Sequence, residues 1–478
     1  MSDTILAIDI GSTKICAIIA EINDSNQVTI QGHGISKSQG IKKGAITNIE
    51  LSSKAIKKAI NDAKRIAGSN ITSATVSISN AYAKSLNSTG IVNIPHKDIS
   101  IKEINRVMQT ALYNANVPTE YDIIHVLPYN FRVDDQDFIE DPFGMNASRM
   151  EVDVNIIMTQ KSNLSNLQKA VRSAGVEIDG IVLSGYASSI AVMGEDEREL
   201  GAAVIDMGGQ TSNLVIHTGN SIRYNDFLGV GSNHITNDLS MALHTPLQIA
   251  ENVKIRHANL VESSNEVIEL PIIGDEENRN GVSLEIVHSV IFARVEEALM
   301  ILSKSLEKSA LKEQIGAGII LTGGMTKLKG IRELAQAIFT GMPVRVGYPG
   351  DKVKGLFDEL KDPSYSTVIG LLLYKAGGHT QYEIDFQQKV LHSKIVHEED
   401  LSNIKIANTV NDVEDIKLTN TKKEPKASKA PKVPKESPKK IDNDTEESMS
   451  FSFEDLPDIG KENKNPIKKL ANWAKQLF

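Results

Sequence analysis

The same arrangement of residues occurs twice in this chain of 478 residues, about 200 residues apart. The first copy runs Thr4-Ile-Leu-Ala-Ile-Asp9-Ile-Gly11-Ser12-Thr13-Lys14 into Ile15-Cys-Ala-Ile-Ile-Ala20. The second runs Ala202-Ala-Val-Ile-Asp206-Met-Gly208-Gly209-Gln210-Thr211 into Ser212-Asn-Leu-Val-Ile216. Each reads as strand, acidic glycine-rich turn, strand. A chain of this length exceeds what one hydrophobic core can serve, so the repeat points to two related α/β lobes, one hairpin in each.

The turns suit phosphate. Glycine allows the backbone to approach closely and to present successive N–H groups as a concave nest for phosphate oxygens. Ser12, Thr13 and Thr211 add hydroxyls, and Lys14 adds a point charge. Asp9 and Asp206, each closing a strand, are natural partners for Mg²⁺ through water, because that ion dehydrates reluctantly. One such hairpin alone is more often plain turn chemistry. Two in matching context predict a clamp on one triphosphate. Neither G-x-x-x-x-G-K-[ST] nor G-x-G-x-x-G occurs, so a P-loop and a dinucleotide fingerprint do not compete.

Two further elements fit the same chemistry. Ala317-Gly-Ile-Ile-Leu-Thr322-Gly323-Gly324-Met325 reads as a buried strand ending in a double glycine, where a flat base can lie against backbone, before the helical pattern Ile331 to Ile338. In Ala250-Glu251-Asn-Val-Lys254-Ile-Arg256, Glu251 and Lys254 share a helical face and could hold a ribose or base; a solvated surface ion pair is the plainer reading of that pair alone.

Taken in order, the two Asp-Gly hairpins, the T-G-G turn and the A-E-x-x-K helix look like the actin, Hsp70 and sugar-kinase superfamily. Within it the chain resembles the FtsA family of bacterial cell-division proteins. The matching text includes Gly40-Ile-Lys-Lys-Gly44, Asn87-Ser-Thr-Gly-Ile-Val92, Ile124-His-Val-Leu-Pro128, Arg149-Met-Glu-Val152, Glu195-Asp-Glu-Arg-Glu-Leu-Gly201 and Tyr365-Ser-Thr-Val-Ile-Gly-Leu-Leu-Leu-Tyr374. The resemblance implies an actin-like two-lobed ATPase fold with an inserted subdomain, closing over ATP and Mg²⁺. The expected first lobe takes residues 1–84, 161–195 and 360–385, with the FtsA-type insertion at 85–160. The second lobe takes 196–227 and 301–359, with a small subdomain at 228–300 that in the family meets the C-terminal tail of FtsZ. It also implies self-assembly into actin-like filaments and contact with other division proteins. Gln210 stands where many relatives have a third glycine, and Asn213 where they often have aspartate. The segment Leu183 to Ser188 lacks the Glu or Gln that orients attacking water in Hsp70 or actin, so ATP binding is expected with slow hydrolysis or none.

Beyond residue 385 the composition changes. Lys422 to Lys440 is largely Lys and Pro, and Asp442 to Glu462 is acidic around Met449-Ser-Phe-Ser-Phe453. Residues 386–464 read as a flexible, disordered linker spanning on the order of 50 Å. The Phe451 insert reads either as a docking peptide or as plain tail. Asn465-Pro466 then opens a C-terminal helix over 465–478. Its apolar face carries Ile467, Leu470, Trp473, Leu477 and Phe478, and its other face Lys468, Lys469 and Lys475. At about 20 Å it is too short to span a bilayer, and it is expected to lie on an anionic membrane surface.

The remaining composition excludes several classes. A net charge of -9 does not suit a nucleic-acid coat, and the Lys/Pro stretch lacks interleaved aromatics, so no nucleic-acid partner is expected. One cysteine, Cys16, excludes an internal disulfide and a four-cysteine zinc site, and reads as a buried strand residue. Met1 to Gly11 lacks a basic n-region and no run of about 18 apolar residues occurs, so a peripheral protein on the cytoplasmic face of the membrane is expected, at the division site. The leading reading is an ATP-binding filament protein that tethers FtsZ to that membrane and helps build the septum. A small-molecule kinase would need an Asp base and has no use for a membrane helix; an Hsp70-like chaperone would append a β-rich domain.

Overall fold

The computed structural model describes residues 3–392 apart from 220, 351 and 356. Both copies of the repeat form antiparallel hairpins in the same register. Asp3–Ile10 pairs with Lys14–Ile22, setting Asp9 opposite Cys16. Ala202–Met207 pairs with Ser212–Thr218, setting Asp206 opposite Asn213. Each Asp thus faces the residue seven positions on. Their β-branched runs are buried on both faces, as strands covered by other layers must be.

Each hairpin grows into a mixed sheet in the same way. In the first lobe, Val28–Lys37 adds antiparallel to the second strand, and Ser73–Ile78 and then Glu177–Leu183 add parallel beyond the first. In the second, Ser221–Leu228 adds antiparallel, and Ile319–Thr322 and Val344–Val346 add parallel. Cys16 is fully buried in its strand.

Two helices lie between the sheets, and their sequences explain why. Ser184–Val192 and Ser366–Leu373 are apolar or small nearly all round, which is the signature of a helix with no solvent face. They cross where a Cβ on Gly370 would stand 1.7 Å from the Ala187 carbonyl oxygen, so only glycine permits the approach. One continuous core joins Ile8 and Ile18 of the first sheet to Val204, Val215 and Ile320 of the second through these helices. A second core lies under Ser232–Leu243, Leu247–His257 and the long helix Leu284–Lys308.

The insertion has a core of its own. Ala83–Asn93, Arg149–Gln160, Tyr121–Val133 and Gln136–Ile139 form a four-stranded sheet. Helix Ile101–Asn114 covers it, started by a capping box between Ser100 and Glu103.

Several expected boundaries differ from the elements. Residue 85 falls inside Ala83–Asn93, 196 inside Glu195–Leu200 and 300 inside Leu284–Lys308, because a run of periodic residues carries no mark of where one packing unit hands over to the next. The linker also starts later than 386. Glu383, fully buried, accepts from Tyr186 Oη at 2.9 Å and Tyr374 Oη at 2.8 Å and lies 2.6 Å from His125 Nδ1. Ile384 exchanges backbone hydrogen bonds with Val126, Leu391 N–H donates to the Glu383 carbonyl, and Phe386 and Leu391 pack on the first core. The rest of the expected linker and the helix at 465–478 lie outside the described residues. Among the described residues no helix is long and apolar enough to cross a membrane.

Candidate functional site

The two hairpin turns face each other across a cleft of about 580 Å³ between the lobes. Its walls bring together Asp9, Gly11, Ser12, Thr13 and Lys14 from the first turn, Asp206, Gly208, Gly209 and Thr211 from the second, Gly323, Gly324 and Met325 from the third, and Glu251 and Lys254. The turns nearly touch: a Cβ on Gly209 would lie 1.8 Å from Thr13 Oγ1. Gly323 has φ +90° and stands so close to Asp206 that a Cβ would meet Oδ1 at 2.4 Å. Both requirements, space and a left-handed backbone, single out glycine there.

Gln210 is not part of the cleft wall. Its Oε1 accepts the Lys43 N–H at 2.7 Å, while Ser12 Oγ accepts the Gly44 N–H at 3.0 Å. Both repeat turns therefore hold the tight turn 43–44 of the Gly40 to Gly44 text. A third glycine at 210 could not make this bond, and its presence turns a nest position into a brace between lobes.

Glu251 and Lys254 form an ion pair of 2.8 Å, but not a surface one. Lys254 is 6 % exposed and also donates to Thr236 Oγ1 at 2.9 Å and to the Ser232 carbonyl at 3.1 Å. An ammonium has three donors, so protein acceptors engage all of them. Thr236 Oγ1 donates to Glu251 as well. A ligand hydroxyl would meet the half-exposed Glu251, with Lys254 fixing it.

The acidic residues sit at the cleft floor. Burial pushes the Asp9 carboxyl up to about 6; the Asp206 carboxylate adds to this, and the Ser77 hydrogen bond and Lys14 oppose it. Burial also raises Asp206, against hydrogen bonds from Ser188 Oγ at 2.7 Å and Thr367 Oγ1 at 3.3 Å. Lys14 is brought down to about 8 by burial, against the pull of Asp9 and Asp362. The floor thus holds two carboxylates whose ionised forms are only partly compensated, which is the electrostatic demand a divalent cation meets. Asn213 lines the same floor, 5 % exposed, with an Oδ1 that has no protein partner, an acceptor suited to a metal-bound water. Among the described residues no group of three or more His, Cys, Asp or Glu could hold a metal directly. A Mg²⁺ here fits as an ion held through water and the ligand's own phosphates.

Sequence reasoning passed over one element of the site. Residues 362–367 supply a contact to each of the three glycine turns: Asp362 pairs with Lys327 at 2.7 Å, Ser364 Oγ accepts from Lys14 at 2.7 Å, the Tyr365 ring lies under Lys14, Ser366 Oγ lies 2.7 Å from Thr322 Oγ1, and Thr367 reaches Asp206. The available signal was Asp362-Pro363, an N-cap followed by proline, which marks a helical turn; the Asp362 carboxylate does cap the Ser364 N–H at 2.9 Å.

Comparison with known proteins gives a consistent picture. Residues 203–370 match the family model "Cell division protein FtsA", and residues 80–158 match "SHS2 domain inserted in FTSA". A Helicobacter pylori (strain J99) protein named Cell division protein FtsA is 42% identical over 414 residues, covering 80% of this chain and 84% of that one. A protein of the same name from Escherichia coli K12 is 31% identical over 398 residues, covering 81% and 94%. Among solved structures, the PilM-PilN type IV pilus biogenesis complex superposes with a TM-score of 0.57 at 16% identity, over 78% of this chain and 98% of that one, a likeness of fold.

Proposed function

The chain belongs to the FtsA family of cell-division proteins, and from that premise we propose that it is an ATP-binding, filament-forming adaptor that holds FtsZ filaments at the inner face of the cytoplasmic membrane. The observation that carries the nucleotide part is the convergence of both Asp-Gly turns and the T-G-G turn on one cleft whose floor bears the half-buried Asp9 and the buried Asp206. In this reading the N–H groups of the Gly11 to Lys14 and Gly208 to Thr211 turns cradle the phosphates, and Lys14 adds its charge. Asp9, Asp206 and Asn213 hold waters of Mg²⁺, whose chemistry is to neutralise the phosphate charge. Glu251, fixed by Lys254, takes the ribose, and the base lies over Gly323, Gly324 and Met325.

ATP is bound and turned over slowly or not at all. The acidic side chains on the cleft wall are Asp9, Asp206 and Glu251, and Glu251 is engaged by Lys254 and Thr236. Ser188, on the segment where superfamily ATPases place a water-orienting Glu or Gln, gives its hydroxyl to Asp206. That leaves no carboxylate or amide on residues 183–188 to align water.

The tethering part rests on the tail sequence. Ile467, Leu470, Trp473, Leu477 and Phe478 against Lys468, Lys469 and Lys475 give the tail sequence the amphipathic pattern of a segment that would bind anionic lipid weakly when alone. Filament formation by the core would link many such helices, so assembly and membrane residence reinforce one another. The subdomain at 228–300 is the FtsZ-facing part in this reading. Kinase and chaperone functions are not favoured, since the family relatives share the name of a division protein.

The test is electron microscopy of the full chain on anionic vesicles with and without ATP, adding FtsZ filaments, beside the variant Trp473→Asp/Phe478→Asp. The expected result is recruitment of FtsZ by the unaltered chain and loss of lipid association in the variant. Unchanged vesicle pelleting by the variant, or no FtsZ recruitment in any nucleotide condition, would overturn the adaptor reading.

A further inference from the structure

Lys14 is held from behind by a pair of neighbours that no cleft motif contains. Its Nζ donates to Ser364 Oγ at 2.7 Å and lies 3.1 Å from the centroid of the Tyr365 ring. Both residues belong to the turn that caps Ser366–Leu373, some 350 positions away in sequence. That turn is itself fixed: the Asp362 carboxylate accepts the Ser364 N–H at 2.9 Å and pairs with Lys327, which also lines the cleft.

The geometry points to Tyr365 as a positioning residue for Lys14, one that with Ser364 sets how strongly the cleft discriminates nucleotides by their phosphates. This rests on the nucleotide reading above and names the residue that tunes it. A lysine side chain has four rotatable bonds and loses substantial rotamer entropy when a ligand fixes it. Here the ring face and the Ser364 hydroxyl already hold the ammonium at the cleft wall, so a bound phosphate meets a charge whose ordering cost has been met on folding. The ring also removes water from one side of the ammonium, which strengthens its attraction for an anion on the other. The ring's π face suffices for this, and no hydrogen bond from the Tyr365 hydroxyl is required.

Three consequences separate this role from mere packing. First, Tyr365→Leu, which keeps an apolar side chain but removes the ring, weakens ATP and ADP binding by about 10-fold, the scale of a partly desolvated cation–π contact, and leaves adenosine binding unchanged. Second, Tyr365→Phe restores polyphosphate affinity to within about 2-fold of the unaltered chain. Third, in a Lys14→Met background, Tyr365→Leu has no further effect on ATP, because residues that act through one contact are not additive.

The experiment is calorimetric titration of the full chain and these variants with Mg·ATP, Mg·ADP and adenosine. Equal losses for adenosine and ATP, failure of Tyr365→Phe to restore binding, or a full Tyr365→Leu effect without Lys14 would each overturn the assignment while leaving the nucleotide reading standing. Failure of the unaltered chain to bind ATP would overturn both.

Discussion

Replacing Asp9 by Asn should make the ligand-free protein more stable and the ligand-bound protein less so. The Asp9 carboxyl is raised from 3.8 to about 6, chiefly by burial. One pH unit of displacement corresponds to about 1.4 kcal/mol between the two protonation states, so the ionised form costs the folded state about 3 kcal/mol at pH 7. Asp9 borders an open cleft, and solvent there lowers the figure to about 1–3 kcal/mol. Asn keeps the acceptor for Ser77 Oγ, now 2.8 Å from Asp9 Oδ1, so the gain is not offset by a lost hydrogen bond. Between pH 3.8 and about 6 the folded chain binds the extra proton, so stability of the unaltered protein falls as pH rises through that window and levels above it. In Asp9→Asn that fall shrinks. Urea unfolding at pH 4.5 and 7.5 without nucleotide measures it: the variant should be more stable at pH 7.5, with roughly a third of that margin at pH 4.5. With Mg·ATP the order should reverse, because a ligand that binds only the folded state stabilises in proportion to its affinity. A variant less stable than the unaltered chain at pH 7.5 without ligand would refute the reasoning.

Glu383→Ala leaves three buried partners, His125, Tyr186 and Tyr374, without their acceptor, and should cost about 3 kcal/mol or more by urea unfolding. A chain ending at residue 378 should show a similar loss and one ending at 392 none; equal stability of all three would mean that the Glu383 segment does not hold the lobe to the insertion. Phosphate release from ATP should be no faster than about one turnover per many minutes with Mg²⁺ on lipid, and sustained turnover at the rate of an efficient ATPase would show that a group other than a Ser188-segment carboxylate aligns the water.

What could be read from the sequence is what is local in it. An Asp, a glycine turn and two β-branched runs specify a hairpin from neighbouring residues, so both phosphate-type turns were legible, as were the third glycine turn before Ile331–Ile338 and the helical spacing of Glu251 and Lys254. Gln210 was legible as a departure but not as a brace, because its partner Lys43 lies 167 positions away. The 362–367 turn was illegible for the same reason: Asp-Pro-Ser-Tyr-Ser-Thr says only that a helix begins, and its meaning comes from Lys14, Thr322, Lys327 and Asp206, on other strands and turns. The fold's end is illegible in sequence because past residue 385 the apolar anchors Phe386, Val390 and Leu391 are too sparse for a periodic pattern.

The placement of the two carboxylates explains why a core this continuous should carry a cost at its centre. The floor of the cleft is where the hairpins end against Ser184–Val192 and Ser366–Leu373, helices with no solvent face. Any acid placed there is desolvated by the same apolar packing that joins the lobes, and Ser77, Ser188 and Thr367 compensate only in part. Apolar residues at positions 9 and 206 would satisfy folding better. Acids at both positions, each lining the cleft and held by a hydroxyl donor, are the pair that the proposed Mg²⁺ would complete. On the proposed nucleotide reading, a stabilising effect of Asp9→Asn on the ligand-free chain should be accompanied by a loss of Mg²⁺-dependent nucleotide affinity.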